Sequence, residues 1–186
     1  NRLAATIADS LGIKASVTTA GDVGFGAALD DPPGGWQVGD TGPAKAVAAA
    51  MLAGDPVGLG RDAHLPKADW LPLDEGGDGG PCVRITDAAT DLGADTLVLH
   101  PQVLCVGVGC ERDADPDEVW GLVSETLASA NLALGAVACV VSLDLKGDEA
   151  AVHAVAERLQ VPARFFDAAT LEAETPRLEN LSDVVF

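Results

Sequence analysis

The stretch VGVGCERDADPDEV, Val106 to Val119, places a cysteine, a glutamate and an arginine behind two glycines, after an apolar run and before a helix cap. Each residue type suits a reaction with water. Glu111 could act as a general base, Arg112 could grip a ligand carboxylate bidentately, and Cys110 could be a ligand contact or a nucleophile. Gly107 and Gly109 let a backbone turn tightly or approach a ligand. Plainer readings stand beside these. An isolated cysteine is more often structural than nucleophilic. Glu111 and Arg112 could simply pair on the surface, worth under about 1 kcal/mol. GVGCERD lacks the third spaced glycine of G-x-G-x-x-G, which excludes a dinucleotide fingerprint.

A second stretch, SLDLKGDE from Ser142 to Glu149, has the same layout of apolar strand, turn and helix start. Lys146 is the only lysine after residue 67. It could bind a substrate carboxylate or polarise a carbonyl. Asp148 and Glu149 read as substrate contacts or as ordinary acids at a helix N-terminus. If the two strands are parallel neighbours, Lys146 and Glu111 share one rim of a sheet, where open α/β sheets bind ligands. His100, before Pro101, is either a third rim residue or a solvated hairpin residue. His64 and His153 read as loop and helix surface, without a partner spaced for metal binding.

The elements that must position these residues are legible from periodicity and caps. LCVGVG predicts a buried strand. Asp115, Pro116 and Glu118 predict a capped helix start, with Val119, Leu122, Val123, Thr126, Leu127 and Ala130 facing inward. AVACVVSL predicts a strand buried on both faces, and the helix after KGDE carries the stripe Val152, Val155, Ala156 and Leu159. ARFF predicts a strand, ATLEA a short helix and DVVF a last strand. In the first half, residues 1–12 predict a helix with Leu3, Ile7, Ala8 and Leu11 on one face, stopped by Gly12. ASVTT predicts a strand and residues 21–42 a loop. Pro43 opens a helix capped by Thr41 and ending at Gly54, and PVGLG, CVRIT and TLVLH predict three strands. Strands alternating with helices imply an α/β fold of two small subdomains, divided near residue 100. The C-terminal subdomain is a mostly parallel sheet flanked by helices.

The charge balance bears on partners. Asp and Glu number 29 against 11 Lys and Arg, a net charge of -18. Such a surface repels nucleic acid and anionic membranes, so neither is expected as a partner. Abundant acids with few lysines predict adaptation to high salt, where a Debye length of about 3 Å screens the repulsion; an acidic face for a cationic partner is the rival. The four cysteines form no C-x-x-C pair, so no structural zinc site is expected. Cys82, Cys105 and Cys139 read as small buried hydrophobes, and reduced thiols suit a cytoplasmic protein. The chain opens at Asn1 inside a helical pattern, so the natural N-terminus is expected to lie upstream.

The motifs LVLHPQVLCVGVGCERDADPDEV, SLDLKGDEAAVHAVAERLQVPARFF and the tail LSDVVF resemble the C-terminal domain of the CbiG family, cobalt-precorrin-5A hydrolases of anaerobic cobalamin biosynthesis, over residues 97–186. The opening RLAATIADSLGIKASVTTAGDV resembles the end of the family's N-terminal domain, and residues 25–96 resemble the variable central region loosely. This implies a remnant of the N-terminal domain over 1–24, a central region over 25–100 and a CbiG/CobE-like domain over 101–186. The family's glycine-rich N-terminal part and the stretch after SDVVF are absent, so the sequence is expected to be a fragment.

The resemblance also implies a reaction. The substrate is a cobalt-bearing tetrapyrrole whose δ-lactone is opened by water with release of acetaldehyde. The cobalt arrives with the substrate, so no protein metal site or cofactor is expected, and a homodimer is left open. On this reading Glu111 is the base, Lys146 and Arg112 anchor carboxylates or stabilise the oxyanion, and the amides near Gly109 and Cys110 help. A non-catalytic corrinoid-binding module is the alternative, and a plain interaction domain the third. A basic rim of Arg112, Lys146 and Arg84 would be needed to hold a polyanionic substrate.

Overall fold

In the computed structural model, residues 2–13, 29–77 and 80–177 are described. The expected strands at ASVTT and DVVF lie outside these residues. The chain divides into two units. One comprises residues 1–86 and 91–101; the other comprises 87–90 and 102–186.

The first unit begins with α1 (Arg2–Leu11), which ends at Gly12 in the left-handed region, φ 63°. Ala8 is buried, whereas Ile7 and Leu11 are exposed, so the expected inward face is only partly used. The first strand, β1 (Trp36–Val38), falls inside the stretch read as loop. Its three residues are too few to show a period of two, and its pairing with β4 lies far along the chain. Helix α2 (Ala44–Ala53) follows Pro43 and stops at Gly54, φ 76°. Thr41 accepts Ala44 N–H with its backbone carbonyl at 3.2 Å rather than capping through its hydroxyl.

Strands β2 (Gly58–Arg61), β3 (Cys82–Ile85) and β4 (Thr96–Pro101) pair in parallel, and β1 pairs antiparallel to β4, in the order β1-β4-β3-β2. Val83, Ile85, Leu97 and Leu99 alternate onto one face and pack with Leu59 and with Val47 of α2. Trp36 and Trp70 meet edge to face, 5.9 Å between centroids. Cys82 is half-buried, its Sγ 3.1 Å from Thr96 Oγ1.

The second unit carries β5 (Leu104–Gly107), α3 (Pro116–Ser129), β6 (Val137–Leu143), α4 (Ala150–Leu159), β7 (Ala163–Phe166) and α5 (Ala168–Ala173). The three strands are parallel, in the order β5-β6-β7. This alternation is the α/β architecture that the periodicity predicts. Asp115 caps α3 by accepting Asp117 N–H at 2.8 Å, with Pro116 at the first position. Val123 and Leu127 of α3 and Val152, Val155 and Ala156 of α4 form one core with Val108 and Val140. Leu122 departs from its expected inward role and is 66% exposed. Strand β5 also departs from expectation: it is an edge strand with Cys105 and Gly107 exposed, not a buried one. Residues 87–90 bind this unit through Ala89 N–H to the Asn131 carbonyl and Ala133 N–H to the Asp87 carbonyl. Among the described residues no helix is long and apolar enough to cross a membrane.

Candidate functional site

The site grows from the carboxyl ends of β5 and β6, parallel neighbours paired from Leu104↔Val137 to Gly107↔Val141 with one shift of register between Leu104 and Cys105. Both strands therefore release their following loops on the same rim. The loop after β5 carries Gly109, Cys110, Glu111 and Arg112; the loop after β6 carries Lys146, Asp148 and Glu149. Buried Ser142 donates its hydroxyl to the Val108 carbonyl at 2.7 Å and ties the roots of the two loops together.

Arg112 is the bridge between the loops. Its Nη1 donates to Asp148 Oδ1 at 2.7 Å and its Nη2 to the Leu145 carbonyl at 2.8 Å. The surface pairing considered between Glu111 and Arg112 is thus replaced by a longer-range one. The hydrogen bond from Arg112 is the main reason the Asp148 carboxyl lies below the usual aspartate range. The same pair raises the Arg112 guanidinium further.

Lys146 and Glu149 form a second pair, Nζ to Oε2 at 4.0 Å. The Glu149 side chain is only 3% exposed. Glu149 occupies the N-cap position of α4 without capping it through its side chain. His153, exposed on the first turn of α4, bonds the Gly147 carbonyl through Nε2 at 2.8 Å and leans on Phe165.

A groove of about 690 Å³ runs along β5, the loop after it and the face of α3 that carries Val119, Leu122 and Val123. That volume lies within the range of small-molecule sites. Its apolar part includes Val106, Val119 and Leu122, and its mouth carries Glu111, Arg112, Asp113, Asp115 and Glu118. Among the described residues no side-chain partner engages Glu111. Gly107, Gly109 and Cys110 also line the groove. The left-handed residue of this loop is Asp113, φ 57°, so the glycines are not what makes the turn. A Cβ at Gly109 would meet nothing within 4 Å. The fold does not require glycine there; its effect is to keep the groove open beside the backbone.

The structure therefore gathers Gly107, Gly109, Cys110, Glu111 and Arg112 in one groove. Lys146, Asp148 and Glu149 lie on the same rim but do not line it. His100 belongs to the first unit, where it is buried, with Nδ1 2.6 Å from the Thr86 carbonyl, so it is no solvated hairpin residue. Arg84 also belongs to the first unit and pairs with Asp62. Leu122 is a groove residue that sequence reasoning assigned to the core, since a helical stripe does not say which turns have a neighbour; Val119 lines the groove and also packs against the core, as expected. Among the described residues no cluster of three or more His, Cys, Asp or Glu could hold a metal ion.

A parallel sheet packed against two helices, with a ligand-sized groove at its rim, makes the second unit an open α/β domain. Residues 104–186 match the family model described as Cobalamin synthesis G C-terminus. Protein CobE of Sinorhizobium sp is 48% identical over 83 residues, which are 45% of this chain and 54% of CobE. A crystal structure of CobE, a protein from the cobalamin (vitamin B12) biosynthetic pathway, aligns at 30% identity and TM-score 0.40 over 43% of this chain and 56% of that one. A cobalamin biosynthesis protein G homolog from Sulfolobus solfataricus aligns at 15% identity and TM-score 0.33 over 97% of this chain and 52% of its own. The chain spans about half the length of each relative. Residues 104–186 are thus similar to the C-terminal domain of cobalamin synthesis protein G and to CobE.

Proposed function

We propose that the protein opens the δ-lactone of cobalt-precorrin-5A, with release of acetaldehyde, in the groove of the C-terminal unit. The observation that carries this reading is Glu111, a carboxylate with no side-chain partner among the described residues, at the mouth of a groove with apolar walls. The macrocycle lies against Val106, Val119 and Leu122. All but one of its acidic arms point to solvent, because the groove mouth offers four carboxylates and one guanidinium. Glu111 takes a proton from a water that adds to the lactone carbonyl. Backbone N–H groups of the Gly109–Cys110 turn stabilise the oxyanion. Collapse of the adduct expels the ring oxygen as an alkoxide; that oxygen becomes the carbonyl of acetaldehyde as the carbon–carbon bond to the macrocycle breaks, and the electron pair left on the macrocycle takes up the proton held by Glu111. Arg112 anchors an arm by exchanging Asp148 for a substrate carboxylate, and Lys146 supports the rim.

A second reading, a non-catalytic corrinoid-binding module in cobalamin biosynthesis, is favoured by one observation. Arg112 and Lys146, the two rim cations, are each paired within the protein. Incubation with cobalt-precorrin-5A and assay of acetaldehyde separates the two. Release that is lost in Glu111→Gln, with the corrinoid spectrum still perturbed by binding, supports the hydrolase. Binding without release supports the module. Release unchanged in Glu111→Gln removes this residue from the chemistry.

A further inference from the structure

Cys105 and Cys139 are register partners on adjacent parallel strands, β5 and β6. Leu104, Val106 and Val140 pack into the core with the helices, so alternation turns both cysteines to the opposite face of the sheet. Their sulfurs are 3.4 Å apart. Neighbouring strands lie about 4.8 Å apart, inside the Cα separation that a disulfide spans. The sulfurs therefore need close by only about 1.4 Å, a side-chain rotation, to reach the bond length of about 2.05 Å. The two thiols differ in access: Cys105 is exposed and Cys139 is 6% exposed. One cysteine faces solvent and its partner waits behind it, the arrangement of an attacking and a resolving thiol.

We propose that Cys105 and Cys139 form a dithiol site that exchanges with low-molecular-weight disulfides. The Cys105 thiolate attacks one sulfur of the small disulfide. A mixed disulfide forms on Cys105, and the other half leaves as a thiolate. Cys139 then loses its proton and attacks the Cys105 sulfur, expelling the second half. Each expelled thiolate takes up one of the two protons that the cysteines surrendered. The protein pair is oxidised to one disulfide, and the small disulfide is reduced to two thiols. Burial, with the hydrogen bond to Cys105, pushes the Cys139 thiol up, so it stays protonated and does not compete for the first attack. The charge of Arg164, on neighbouring β7, opposes that rise.

The probe is oxidised glutathione, applied to the folded protein, with unreacted thiols alkylated before intact-mass analysis and peptide mapping. The native protein is expected to lose two hydrogens, link the Cys105 and Cys139 peptides, and carry no lasting glutathione on either. Cys139→Ser is expected to stop at a stable glutathione adduct on Cys105. Cys105→Ser is expected to leave Cys139 unreacted. Because a substitution at buried Cys139 could disturb the core, the cross-link in the native protein is read independently of the variants. Persistent glutathione on Cys105 of the native protein would overturn the proposal, as would reaction confined to Cys82 or Cys110, or no reaction at all. None of these results depends on the corrinoid reading.

Discussion

Arg112 and Asp148 stand 36 residues apart in the chain and 2.7 Å apart in space, and their ion pair ties the two loops that leave the rim of the parallel sheet. Both side chains are solvent-exposed, so the pair contributes to loop position rather than to global stability.

The Asp148 carboxyl lies below the usual aspartate range, chiefly because Arg112 donates to it. A carboxyl depressed by folding stabilises the folded state above its unfolded value, and that contribution is lost as the pH falls through the lower folded value. The tie should therefore survive mild acid and open only below the usual aspartate range. A carbon-13 titration of the Asp148 carboxyl should give a depressed midpoint that rises in Arg112→Ala. A midpoint that ignores the substitution would show that the guanidinium is not the cause.

Lys146 neutralises a carboxylate that is almost wholly buried. Removing the lysine alone leaves Glu149 uncompensated, which typically costs about 3 kcal/mol. Lys146→Met should lower the urea midpoint by a corresponding amount, and adding Glu149→Gln should restore most of it. A neutral Lys146→Met would mean that Glu149 is satisfied without its partner.

Gly109 and Leu122 separate folding from binding. Neither side-chain position is needed by the core: a Cβ at Gly109 meets open space and Leu122 is exposed. Gly109→Ala and Leu122→Ser should each change stability by no more than about 0.5 kcal/mol. Each should weaken cobalt-corrinoid binding, titrated by absorption spectroscopy, by about tenfold, the equivalent of roughly 1.4 kcal/mol. Full-strength binding in both variants would place the corrinoid elsewhere.

The net charge of -18 should make folding depend on salt. At low ionic strength the acidic surface repels itself; in molar KCl the Debye length shrinks to about 3 Å. Helical ellipticity and thermal midpoint should both rise with KCl. A fold complete and equally stable at low salt would count against salt adaptation.

The amino-acid sequence by itself determined the elements whose information is local. The apolar run through Val137–Leu143, the stripe Val152, Val155 and Ala156, and the Asp115–Pro116 cap each lie within one element or one turn. They were enough to set an α/β fold and to put a charged loop after each of two strands; that the two strands are neighbours came from the tertiary structure. Tertiary structure alone decided what lies across from each residue. An apolar run such as LCVGV looks the same at the edge of a sheet as at its centre, so the exposure of Cys105 and the groove beside β5 had no local signal. Leu122 sits on a helical stripe that outruns the surface it packs against. Arg112 had an acid next to it in sequence, yet its partner is Asp148, because parallel pairing of β5 and β6 brings the two loops together. Lys146 turned to Glu149, His100 went into the core of the first unit, and Cys105 met Cys139. In every case the deciding neighbour is supplied by strand pairing and helix packing, which act between residues that periodicity and spacing cannot relate.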